Sequence, residues 1–167
     1  MNIIPISETP IFKNYTLGII PPTVTVTAIN ENTFKVRVTN PDTNTGVTLT
    51  GAIFEFKTAL PGSTAYVATA CLRDLGNTNT CGGAGTSGSG AVPGLAQPLA
   101  VGGLTTNMTA NKNGGYVEFE LYVTSANLLP TGAQLQVALT QLNYIVGGIP
   151  NSEAYVGTSG ASVTFTK

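Results

Sequence analysis

Apolar residues recur at every second position over long stretches of this chain, which is the period of a strand with one face buried. TVTVTAI (23–29) sets Val24, Val26 and Ala28 on one side. TFKVRVT (33–39) turns Phe34, Val36 and Val38 inward and Lys35 and Arg37 outward. Asn30-Glu31-Asn32 between them has turn chemistry, so the two segments predict a hairpin. In VTLTGAIFEFKTAL, Val47 and Leu49 share a parity that Phe54 and Phe56 break, which predicts a bulge near Gly51-Ala52. YVEFELYV (116–123) is the clearest strand, with Val117, Phe119, Leu121 and Val123 inward and Glu118, Glu120 and Tyr122 outward.

AYVATACL (65–72) continues the strand pattern, and LAQPLAVGGL (95–104) reads as an irregular edge segment. Residues 76–94, GNTNTCGGAGTSGSGAVPG, read as one long low-complexity loop, and SANLLP as room for one helical turn. AQLQVALTQLNYIV (133–146) alternates through Leu135, Val137 and Leu139. YVGT and ASVTFTK close the chain, with Val163 and Phe165 inward. These segments predict an all-β chain of eight or nine strands in a single two-sheet β-sandwich, jelly-roll or Ig-like. Residues 1–22, punctuated by Pro5, Pro10, Pro21 and Pro22, predict an extended N-terminal arm, with the sandwich domain over 23–167.

Composition fits one core and limits the partners. The 167 residues are 42% hydrophobic but only 9% charged, so the surface is expected to be Thr, Asn, Ser and Gly. Seven scattered cations against eight anions give a net charge of −1, with no basic patch for a nucleic acid. No apolar run approaches the roughly 18 residues that a membrane-spanning helix needs, so no membrane insertion is expected. The opening MNIIPISETPIF lacks the basic and apolar regions of a signal peptide. The expected location is a virion or the extracellular surface.

The search for chemistry returns little. With no histidine, Ser-His-Asp and Cys-His arrangements are excluded, and no catalytic or cofactor-binding residue is assigned. Glu118 and Glu120 lie on one strand face roughly 7 Å apart, a separation at which paired carboxylates cleave glycosides; an outward polar face is the simpler reading. Asp42 in NPDTNTG and Asp74 beside Asn77 match only fragments of a calcium loop, and turn formation accounts for them. Gly82 to Gly90 has no lysine and no following helix, so it is not a phosphate cradle. Cys71 and Cys81 enclose LRDLGNTNT and predict an intramolecular disulfide, because no other cysteine or histidine completes a metal site. Asn14-Tyr15-Thr16 and Asn107-Met108-Thr109 are acceptor sequences for N-glycosylation.

In composition and strand pattern the chain resembles β-sandwich subunits of extracellular filaments and single jelly-roll coat proteins. That resemblance implies a non-enzymatic subunit that assembles with copies of itself, and the arm offers the means. Ile3, Ile4, Ile6, Ile11 and Phe12 are too apolar for a free tail, and a neighbour's sheet edge would cover them and satisfy their backbone groups. The alternative is a monomeric extracellular binding or adhesive module, glycan-binding among the options.

Overall fold

The computed structural model describes residues 18–59, 68–74, 83–86, 97–102, 108–125 and 131–167. Among them are eleven strands and no helix: β1 (Thr23–Asn30), β2 (Thr33–Thr39), β3 (Val47–Ala59), β4 (Ala68–Asp74), β5 (Gly83–Thr86), β6 (Gln97–Gly102), β7 (Thr109–Ala110), β8 (Tyr116–Ser125), β9 (Gln134–Val146), β10 (Ile149–Ala154) and β11 (Ser162–Thr166). They form two antiparallel sheets. The first runs β1-β2-β8-β4-β5; the second runs β10-β9-β3-β6, with β7 added to β3 and β11 to β9.

The alternating residues build one core from both sheets. Phe34, Val36, Val38, Leu72, Phe119, Leu121 and Val123 come from the first sheet, and Val47, Phe54, Leu135, Val137, Leu139 and Leu142 from the second. All are nearly or fully buried, and each large side chain contributes roughly 1.5–3 kcal/mol through removal from water. The architecture is therefore sandwich-like. Val163 and Phe165 of β11 pack on this core while remaining half-exposed.

Two bulges keep the long strands in phase. Pairing of β3 with β9 shifts between Leu49 and Gly51, leaving Thr50 as the extra residue, beside the Gly51-Ala52 position expected from parity. A second shift sets Ile53 opposite Gln141 but Phe54 opposite Leu139, so Thr140 is the extra residue on β9. Its Oγ1 donates to the Ile53 carbonyl. One bulge lies on each partner, so the register before Thr50 is restored beyond Thr140.

Several expectations need correction. Among the described residues there are eleven strands rather than eight or nine, the four-residue β5 and two-residue β7 among them. The 95–104 segment holds a regular strand, β6, paired with Gly51–Phe56; Pro98 fits because β6 ends its sheet. The glycine-rich 76–94 stretch contains β5, paired with β4, and a strand without large side chains leaves no hydrophobic period to read. YVGT is a turn region, and the strand before it is β10. Gly147 and Gly148, at φ 56° and 82°, form the two-residue turn joining β9 to β10, a conformation that glycine adopts without steric cost. Of SANLLP, where a helical turn was expected, Ser125 ends β8 and residues 126–130 lie outside the described residues.

Candidate functional site

The outer face of the first sheet carries a ladder of charges. Register sets Arg37 opposite Glu118 and Lys35 opposite Glu120 across β2 and β8, and Arg73 of β4 opposite Glu120 on the other side. Arg37 Nε donates to Glu118 Oε1 at 2.8 Å, and Lys35 Nζ stands 3.5 Å from the same oxygen. The Arg37 guanidinium also lies 4.3 Å from the centre of the Tyr116 ring.

Glu118 and Glu120 were expected on a solvated face, and this is corrected. The Glu118 side chain is only 15% exposed, and Glu120 is buried at 7%. Arg37 and Lys35 cover Glu118, and Lys35 and Arg73 stand opposite Glu120 in register, which strand alternation alone does not reveal. The hydrogen bond from Arg37, then its charge and that of Lys35, hold the Glu118 carboxyl below its ordinary range against the opposing effect of burial. A glycosidase's general acid needs a raised value. Glu118 is poised for salt bridging, and that was invisible until β2 and β8 were set in register.

Asp42 is also taken up structurally. Its Oδ1 accepts from the backbone N–H groups of Asn44 and Thr45 at 2.6 and 3.1 Å, which lowers its pKa with help from the Ile20 N–H. Buried Asn40 accepts from the Asp42 N–H and donates to the Thr45 carbonyl. The NPDTNTG segment is thus an Asx-type turn held by its own side chains. Among the described residues no group of three or more His, Cys, Asp or Glu is placed to hold a metal. No helix there is long and apolar enough to cross a membrane.

The sheet margins differ in how they are closed. β5 approaches β6 across the two sheets, and the Val26 N–H of β1 donates to the Gly160 carbonyl just before β11 at 2.7 Å. β10 pairs with β9 along one side and has no second strand partner among the described residues. The Tyr155 N–H bonds to the Thr140 carbonyl, so Ile149, Asn151 and Glu153 direct their backbone groups to β9. Ser152 and Ala154 therefore turn theirs outward, as does the Pro150 carbonyl. Ile149 at the start of this edge is 64% exposed.

The base of the N-terminal segment is tied to its own domain: Ile19 packs on the core, and the Tyr155 hydroxyl donates to the Pro22 carbonyl. Ile3, Ile4, Ile6, Ile11 and Phe12 lie outside the described residues, as do Asn14, Asn107 and Cys81. Cys71 is buried on β4, and no cysteine is free among the described residues.

No family model, no curated protein and no solved structure matches this chain.

Proposed function

We propose that this chain is a non-enzymatic structural subunit that assembles with copies of itself into a virion shell or coat, or into an extracellular filament. The fold that serves it is a single β-sandwich of the jelly-roll or Ig-like kind, and the N-terminal arm contacts the neighbouring subunit. The observation that carries this reading is the edge of β10, where outward backbone groups and exposed Ile149 offer a short ladder to an incoming strand. The arm's row of Ile3, Ile4, Ile6, Ile11 and Phe12 supplies side chains that gain roughly 1.5–3 kcal/mol each when covered. Few charges oppose close packing of identical copies: 9% of residues, with a net charge of −1.

Deletion of residues 1–12 tests the arm. The variant is expected to be a folded, soluble monomer by sedimentation and thermal melting, because the core strands begin at Thr23. A truncated protein that melts far lower and still assembles makes the arm a strand of its own domain.

A further inference from the structure

A cleft of about 210 Å³ opens on the outer face of the second sheet, just past the end of β10. Glu55 of β3 and Gln136 of β9 line one side; Val156, Thr158 and Ser162 line the other. Its far wall is pinned by backbone hydrogen bonds. Tyr155 N–H bonds to Thr140, Thr158 N–H to Tyr155, Ala161 N–H to Thr158, and Leu139 N–H to Ala161, all at 2.8–3.2 Å. The cleft is thus shaped before any ligand arrives.

Its charge is one-sided. The Glu55 side chain is half-buried and has no hydrogen bond or ion pair to another described residue. The Thr140 hydroxyl donates its hydrogen bond to the Ile53 carbonyl, so towards the cleft it only accepts. The Tyr155 hydroxyl likewise donates to the Pro22 carbonyl. Gln136, Thr158 and Ser162 can each donate or accept, Glu55 adds one carboxylate, and among the described lining residues there is no cation. Lys57, two residues beyond Glu55, is exposed to solvent and has no ion pair with another described residue. Val156, 77% exposed at the rim, supplies an apolar contact beside the acceptors.

We infer that this cleft receives a primary ammonium group on an alkyl stem. Three N–H donors would meet Glu55, Thr140 and the neighbouring hydroxyls, while the stem lies on Val156. A sugar hydroxyl array matches less well, because it brings no charge to a carboxylate that lacks a counter-ion. The ammonium is either a free small amine or a lysine of a second copy, and both present the same group. The inference is independent of the assembly reading.

The test is titration of the full-length, isotope-labelled protein with n-butylammonium chloride, followed by amide chemical shifts. Saturable shifts centred on Val156, Thr158 and Ser162 are expected, with a dissociation constant on the order of 1 mM. Glu55→Gln should weaken binding about tenfold or more, and tetramethylammonium, which has no N–H, should bind wild type at least as poorly. Equal binding of n-butanol, unchanged binding by Glu55→Gln, or no saturable shift overturns the inference. Carbodiimide coupling then separates the sources: an isopeptide bond from Glu55 to a second copy's lysine marks a chain-borne ammonium, and saturable binding without that bond marks a free amine.

Discussion

Glu118 and Asp42 place their charges where folding lowers both pKa values, one through Arg37 and Lys35, the other through backbone N–H groups. A depressed carboxylate stabilises the fold at pH values above its unfolded pKa, and that stabilisation is lost as pH falls through the folded value. The ordinary values are 4.5 for the glutamate and 3.8 for the aspartate, so melting temperature should hold above about pH 5 and fall through pH 4 and below. Glu118→Gln should flatten part of that acid loss and leave the chain folded at pH 7; thermal melts from pH 2.5 to 7 read both effects. An acid slope identical to wild type would separate Glu118 from stability. The cysteines make the other residue-scale prediction. We propose the Cys71–Cys81 bridge, which across so short a loop would stabilise by roughly 3 kcal/mol in the chain-entropy account. Unreduced peptide mass spectrometry should find the pair linked, and two free thiols would refute it.

The long strands show what a parity break means. In β3 the apolar set moves from Val47 and Leu49 to Ala52, Phe54 and Phe56, and Thr50 absorbs the offset as an exposed bulge residue. Removing Thr50 turns the segment into unbroken alternation with Val47, Leu49, Ala52, Phe54 and Phe56 still inward. The deletion is therefore expected to fold, with a modest loss of melting temperature. One alanine inserted after Gln136 instead drives Val137 and Leu139 to the wrong face, and should abolish cooperative melting. Circular dichroism melts of the two variants give the comparison, and equal tolerance would contradict the reading of the bulges.

The same logic explains what the sequence disclosed. Strands with one face in the core, such as β1, β2 and β8, were legible from period alone. The break at Thr140 is present in the spacing of Leu139 and Leu142, and the Gly147-Gly148 pair marks the β9–β10 hairpin. β5 carries no large side chains, and the Arg37–Glu118 pairing is set by the partner strand, so a single strand's pattern contains neither. The Glu55 cleft was equally hidden, since its lining comes from three separate segments of chain.

At the scale of the whole molecule, two sheets share one core and their margins close on each other at β5–β6 and at Val26–Gly160, while β10 keeps an outward backbone edge. Pro150 removes one donor from that edge, which limits uncontrolled pairing but leaves Ser152 and Ala154 able to bond a strand of matching register. An edge of this kind, an apolar N-terminal segment and a nearly neutral surface are together the ground for reading the chain as a building block. Negative-stain electron microscopy of the purified full-length protein at high concentration tests that reading most directly. The account predicts ordered filaments or closed shells of repeating subunits; a field of discrete monomers at the same concentration would contradict it.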